Sequence, residues 1–254
     1  MGRSLISAVL DERTLMLTAA VARGRRGELG RDAGELAGRP AIGVPVQADL
    51  PSEAQADVWI DFSSPDSAAT TAEAAARASA ALVVGTTGLP ADGRDAILRA
   101  AQTVPTVVAP NMSVGVNVML KLVADAARAL GPAFDLEILE LHHRRKRDAP
   151  SGTALRLAEA LAEATGCDLE SASCTERHGD IGPRAVGELG IQAVRGGDVA
   201  GDHSAFFLGT GERLEITHRA SSRETFAQGA VRAVTWLVTR PAGLYDMRDV
   251  LGLR

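Results

Sequence analysis

From Leu15 to Leu130 the sequence alternates between short β-rich runs and helical stretches, and that alternation leaves few folds open. The runs are Leu15 to Val21, Val58 to Phe62, Ala81 to Val84 and Val104 to Val108. Between and after them lie Asp66 to Ala80, Asp92 to Gln102 and the amphipathic Val116 to Leu130. Strands of this length alternating with such helices predict an α/β fold, a Rossmann-like doubly wound parallel sheet covered on both faces. Ligands of such sheets bind beyond the carboxyl ends of the strands. The loops to follow are therefore Phe62-Ser63-Ser64, Gly85-Thr86-Thr87-Gly88 and Ala109-Pro110-Asn111-Met112.

The pattern changes after Leu130. Phe134 to Leu141 reads as a strand, Gly152 to Ala164 as a helix and Gly187 to Val194 as a further strand. His203 to Leu208 and Glu212 to His218 read as a hairpin across Gly209-Thr210-Gly211, and Thr225 to Val238 returns to a helical pattern. Strands without regular crossovers predict a second, α+β domain. The expected division is 1–112, then 113–221, then a return over 222–254, with two short connections and no linker.

Composition narrows the function classes. Aromatics are only 3% of the 254 residues, so the core must be built from Ala, Val, Leu and Ile. A net charge of −5 argues against a nucleic-acid binder, because neutralising phosphates needs a basic face. No apolar run approaches the roughly 20 residues that span a bilayer, and Asp11, Glu12 and Arg13 interrupt the apolar start too early for a signal peptide. Cys167 and Cys174, without Cys-x-x-Cys spacing, read as reduced thiols of a cytoplasmic protein, with no metal expected.

The chemistry concentrates between Glu140 and Ala154. Pro150, Ser151, Gly152 and Thr153 form a helix start, with Ser151 as the cap. The first turn of a helix presents backbone N–H groups and the positive end of the dipole, which with the Ser151 and Thr153 hydroxyls suits a carboxylate or phosphate. Taken alone, such a motif more often only caps a helix. Here His142, His143 and Lys146 lie beside it, adding titratable imidazoles and a fixed cation. The Arg144-Arg145-Lys146-Arg147 run also reads as a solvated turn or a weak nucleic-acid patch, but a small acidic substrate fits the set better. Lysine occurs only at positions 121 and 146, and arginine supplies the other 25 of 27 basic residues. A lysine among three arginines points to a compact ammonium that guanidinium cannot replace.

His-His-x-x-Lys-x-Asp-Ala-Pro-Ser-Gly-Thr-Ala, at 142–154, resembles the signature of the 4-hydroxy-tetrahydrodipicolinate (dihydrodipicolinate) reductase family. The segments Gly85 to Gly88, Asn111 to Asn117, Arg195 to His203, Glu212 to His218 and Leu244 to Val250 resemble family segments in the same order. The resemblance implies a cytoplasmic NADPH- or NADH-dependent oxidoreductase of lysine biosynthesis, a homotetramer assembled through the second domain, acting on a cyclic imine dicarboxylate. Carried over by position, His142 is the proton donor or acceptor and Lys146 a second donor. His143, Lys146, Ser151, Gly152 and Thr153 hold the substrate. Met1, Phe62, Gly85, Thr86, Thr87, Ala109, Pro110, Asn111 and Met112 line the cofactor site.

Two departures stand out. The family's glycine loop reads Gly-x-x-Gly-x-Met-Gly-Arg after a first strand, and this sequence begins at that Met, as Met1-Gly2-Arg3. The chain as written is therefore expected to fold poorly and bind dinucleotide weakly, and roughly 15 preceding residues, one strand and a turn, to raise the affinity. The family often places an acid after the second strand to accept from the ribose 2′-hydroxyl. Here the position is Ala22, followed by Arg23, Arg25 and Arg26, which favours a 2′-phosphate and predicts NADPH over NADH. A solvated basic loop is an equally good reading of those arginines. The rivals are a different reductase on the same two-domain plan, a non-catalytic binding subunit, and a nucleic-acid protein, the last disfavoured by charge and by few aromatics for stacking.

Overall fold

The structure is a computed structural model that describes residues 1–22, 27–49 and 55–253. The chain divides into two compact units, Met1–Val114 together with Arg223–Arg254, and Gly115–Ser222. In chain order the first unit holds α1 (Gly2–Asp11), β1 (Ala20–Val21), α2 (Ala33–Leu36), β2 (Val46–Gln47), β3 (Val58–Asp61), α3 (Ala68–Arg77), β4 (Ala81–Val84), α4 (Ala91–Ala101) and β5 (Pro105–Val108). The helix α5 (Val114–Leu130) leads into the second unit, followed by β6 (Asp135–His142), α6 (Gly152–Thr165), α7 (Leu169–Ala172), β7 (Ser173–Cys174), β8 (Leu189–Arg195), β9 (Gly201–Leu208) and β10 (Arg213–Ala220). The chain returns to the first unit with α8 (Glu224–Leu237), β11 (Gly243–Tyr245) and α9 (Met247–Leu251).

The first unit is built on a parallel sheet in the order β11-β5-β4-β3. Central strand β4 is apolar at every position because both its faces are covered. Leu82 and Val84 pack against Ala72, Ala75, Ile97 and Ala100 of α3 and α4. Ala81 and Val83 face the other way, into a core shared with Leu5 of α1 and Ala227, Ala230, Val234 and Leu237 of α8. Alanine on the helix faces lets the helices sit close to the sheet, so a core poor in aromatics still fills its volume.

The expected run Leu15 to Val21 is a strand only at Ala20–Val21, which pairs in parallel with β2 as a separate two-stranded sheet. A β-rich run becomes a strand only where a neighbour completes its hydrogen-bond ladder. Leu15 and Leu17 pack instead by their side chains, against two different apolar clusters. The parallel architecture is thus present in two pieces. The expected helix 66–80 opens with a 3₁₀ turn at Pro65–Ser67 and stops at Arg77, before Ser79 enters the left-handed region at φ 53°.

The second unit is a mixed sheet in the order β10-β9-β6-β8-β7, with β6 parallel to β8 and antiparallel to β9. The predicted hairpin is β9 and β10, paired from Arg213 opposite Leu208 to Ala220 opposite Gly201. Ile138, Leu189, Ile191, Ala205 and Phe207 point from one sheet face into a core closed by Met119 and Val123 of α5 and Leu157 and Leu161 of α6. By alternation Leu139, Leu141, Val194, Phe206 and Leu208 lie on the opposite face.

Candidate active site

In the second unit, sheet register assembles the polar cluster. Glu140 stands opposite His203 across the antiparallel pair, and His142 opposite Arg195 across the parallel pair. Alternation puts Glu140 and His142 on the same face as Ile138, so the strand carries an acid and an imidazole where its earlier residues are apolar. The Glu140 side chain is fully buried. Its two oxygens accept from both Arg195 terminal nitrogens at 2.7 Å, from the Ser151 backbone N–H at 3.0 Å, and face His142 Nδ1 at 2.6 Å. A buried carboxylate is tolerable only with such compensation. Burial pushes its carboxyl up, but Arg195, His142 and the Ser151 amide outweigh burial and hold it below the usual carboxylate range.

Ser151 connects this carboxylate to the helix behind it. Its hydroxyl accepts from the Ala154 N–H at 3.2 Å, capping α6, and pairs with His203 Nε2 at 3.0 Å. Because that hydroxyl already accepts from the amide, its own proton is available to His203. Burial holds His203 down at about 4, and the neighbouring His142, in edge-to-face contact with ring centres 5.1 Å apart, pushes the same way. His203 is therefore neutral at physiological pH. His218, opposite His203 on β10, is likewise lowered by burial.

Strand β6 is followed by the turn that carries the remaining predicted residues. The His143 N–H donates to Val199, the Lys146 N–H to His143, and the Arg195 guanidinium also reaches the Asp148 carbonyl at 2.7 Å. Lys146 Nζ contacts both Asp148 carboxylate oxygens, at 2.9 and 2.8 Å, which holds the Asp148 carboxyl below its ordinary value. Gly152 opens α6, and a Cβ there would meet only open space, so the helix N-terminus is sterically open beside Thr153. Gly201 is constrained the opposite way: its Cβ would lie 2.9 Å from His142 Nε2. His142, His143, Lys146, Ser151, Gly152 and Thr153 thus belong to one segment running from β6 to the start of α6. Glu140, Arg195 and His203 were not singled out from the sequence. One signal was legible: an acid on the apolar face of a strand requires a buried donor.

In the first unit the three watched loops meet at the carboxyl ends of adjacent strands. The Gly85 N–H donates to Asp61 and the Ala109 N–H to Val84, extending the ladder into the loops. Asp61 Oδ1 accepts from the Ser63 N–H at 2.8 Å, from the Ser63 hydroxyl, and from the Thr86 hydroxyl at 3.1 Å. The Phe62 ring covers Gly85, whose Cβ would fall 2.2 Å from it, so a side chain there would have to displace the ring. Thr87 and Pro110 are exposed, Met112 is buried, and Asn111 Oδ1 accepts from the Ser113 N–H at 2.9 Å. Met1 precedes α1 and packs partly buried against the core beneath the sheet. Ala22 donates its N–H to Gln47, whereas Arg23, Arg25 and Arg26 lie outside the described residues.

Two features of this half fit parts of a dinucleotide. The first turn of the ten-residue α1 has no side-chain cap, and Gly2 leaves open space beside it. Asp61 Oδ2 is buried with no partner, so a hydroxyl or amide donor would satisfy it.

The family models decide the lineage. The model described as dihydrodipicolinate reductase, N-terminus, matches residues 1–112, and its C-terminal counterpart matches residues 115–251. The chain belongs to the dihydrodipicolinate reductase family. Its relatives include the 4-hydroxy-tetrahydrodipicolinate reductase of Anaeromyxobacter sp. (strain Fw109-5), 52% identical over all of this chain and 94% of the relative. That of Halorhodospira halophila is 50% identical over all of this chain and 95% of the relative. Among solved structures, dipicolinate-bound dihydrodipicolinate reductase from Paenisporosarcina sp. TG-14 aligns with a TM-score of 0.77 at 25% identity, covering 98% of this chain and 94% of that one. An amine dehydrogenase from Mycobacterium smegmatis, at TM-score 0.58 and 12% identity over 96% of this chain and 91% of that one, shares the fold alone.

Proposed function

We infer that this chain reduces 4-hydroxy-tetrahydrodipicolinate to tetrahydrodipicolinate with a reduced pyridine nucleotide, in the diaminopimelate route to lysine. The observation that carries the reading is the His142 imidazole, seated on a buried carboxylate beside an open helix N-terminus, in a chain whose family membership spans both units. A bound pyridine nucleotide supplies the hydride; a proton must also be delivered and water lost for the reaction to balance. His142, or a water it holds, supplies that proton to the enamine portion that becomes electron-rich as hydride arrives. Lys146, His143, Ser151, Gly152 and Thr153 hold the two carboxylates, with Lys146 exchanging its Asp148 partner for substrate.

On the cofactor side, Met1, Phe62, Gly85, Thr86, Thr87 and the Ala109–Met112 loop line the nucleotide site. NADPH is preferred to NADH, supported by Ala22 in place of an acid and by Arg23 after it. Membership of a biosynthetic reductase family supports a place in the cytoplasm. No described helix is long and apolar enough to cross a membrane. It assembles as a homotetramer through the second unit, where Val194 and Leu208 are exposed on the sheet face opposite α5 and α6.

The test is consumption of NADPH and NADH side by side, with the substrate generated in place by a synthase. Consumption that falls about 10²–10⁴-fold in His142→Gln supports both the reaction and the role of His142. Undiminished consumption in that variant overturns the role while leaving the reaction. An unchanged NADPH-to-NADH ratio in Arg23→Ala overturns the cofactor preference, and a dimer or monomer by sedimentation overturns the assembly.

A further inference from the structure

We propose that Glu140 and Arg195 are positioning residues for the reduction: Glu140 fixes the tautomer of His142 so that Nε2 is its proton-exchanging atom, and Arg195 keeps Glu140 an acceptor. The inference rests on the proposed role of His142.

Three of the four lone-pair positions of the Glu140 carboxylate accept from fixed donors, and the fourth faces His142 Nδ1. Oε1 accepts from Arg195 at 2.7 Å and from the Ser151 N–H at 3.0 Å, and Oε2 accepts from Arg195 at 2.7 Å. Such a carboxylate is ionised and has no proton to give. The 2.6 Å approach of His142 Nδ1 to Oε2 therefore requires the hydrogen to sit on Nδ1. In the neutral ring Nε2 is then bare, and it is the atom that gains and loses a proton during turnover. A Cβ at Gly201, across the sheet, would lie 2.9 Å from Nε2, so the glycine keeps the space beside that atom free. The bidentate Arg195 fork also fixes the carboxylate in its plane and so fixes the direction from which it meets the imidazole.

The remaining charged and titratable neighbours do not replace this pair. His203 is neutral and its Nε2 is committed to Ser151. Lys146 is paired with Asp148, and His218 lies farther along the sheet on β10. Arg195 is 55 residues from Glu140 in sequence and reaches it only because β8 lies parallel beside β6.

A carboxamide at position 140 cannot reproduce the arrangement. Whichever way it turns, one N–H faces an Arg195 or Ser151 donor. If that N–H lies at the Oε2 position, it donates to His142 Nδ1 and reverses the tautomer.

The experiment is ¹⁵N NMR of histidine-labelled protein in parallel with steady-state kinetics of the full chain. In the wild type, His142 is expected as the Nδ1–H tautomer, and an Nε2–H tautomer overturns the proposal without reference to activity. Glu140→Gln is expected to reverse or mix the tautomer and lower kcat about 10²–10³-fold, with KM changed less than threefold. Wild-type kcat, or an unchanged tautomer in a folded variant, overturns it. If Glu140→Gln does not fold, Arg195→Gln decides: without the guanidinium the buried carboxyl gains a proton more easily. The acid limb of its kcat profile should then move up by at least a unit, with activity returning as pH rises. An unmoved limb overturns the role of Arg195. Loss of activity in Glu140→Gln together with full activity in His142→Gln would instead locate the failure in the proposed role of His142.

Discussion

The two halves of this molecule prepare for ligands by opposite means. In the first unit the strand-end loops offer backbone, hydroxyls and glycine, and among their described residues Asp61 is the one buried ionisable group. In the second unit Glu140, His142, Arg195 and His203 crowd one end of a sheet, each in contact with another member. The first arrangement suits a large ligand gripped at many weak points. The second suits a small charged ligand on which a proton must be placed. The difference follows from geometry. Parallel strand ends expose loops in a row, whereas a mixed sheet brings side chains of three strands together on one face.

The two halves should respond differently to perturbation. The largest effect expected is in the first unit. A Cβ at Gly229 of α8 would lie 1.7 Å from the Met112 carbonyl oxygen, and backbone cannot yield as a side chain can. Gly229→Ala should cost about 3 kcal/mol or more by urea denaturation and weaken dinucleotide binding through the Ala109–Met112 loop. Unchanged stability would show that this loop is looser than the packing implies.

The next effect is electrostatic and belongs to the second unit. The folded pKa of His203, about 4, lies below its ordinary 6.5, so its contribution to stability is complete above pH 6.5 and is lost as pH falls towards 4. The loss is on the order of 3 kcal/mol. His203→Gln should flatten this stretch of the stability–pH curve, while substitutions in the first unit leave it intact. A curve of the same slope in the variant would assign the acid sensitivity elsewhere.

Smaller again is Ser151→Ala, which removes the α6 cap and leaves His203 Nε2 without its partner. About 1–2 kcal/mol of stability should be lost, measurable by thermal or urea unfolding. A loss below half of that would mean the cap and the imidazole find other partners. The smallest effect on stability belongs to the two lysines, which kinetics should separate. Lys121 pairs with Asp125 on an exposed helix face, and Lys121→Met should change stability by less than about 0.5 kcal/mol and leave kcat/KM untouched. Lys146→Met should leave stability similarly intact but lower kcat/KM on the order of 100-fold. Equal kinetic effects at both positions would remove the special standing of Lys146.

Legibility in the sequence followed distance along the chain. Strand β4 was read at its full extent because both its faces are apolar, and α6 was read from the cap Ser151 that the structure shows accepting from Ala154. The β2, α2 and β11 segments were not read, since elements of two to four residues carry no usable period. Leu15 to Val21 predicts a longer strand than Ala20–Val21, because its composition is β-rich whether or not a ladder partner is present.

The sequence by itself determined the family, the parallel architecture of the first unit, and the grouping of His142, His143, Lys146, Ser151, Gly152 and Thr153, because those six residues lie within one strand-to-helix turn. Tertiary structure alone decided which groups stand behind them. Arg195 and His203 lie 55 and 52 residues from the side chains they hold, Glu140 and Ser151 respectively. A register shift of one residue would turn them to the other face of the sheet. Local preferences define an element, but no local preference encodes which residue of one strand will face which residue of another. Here that pairing places the carboxylate under the imidazole.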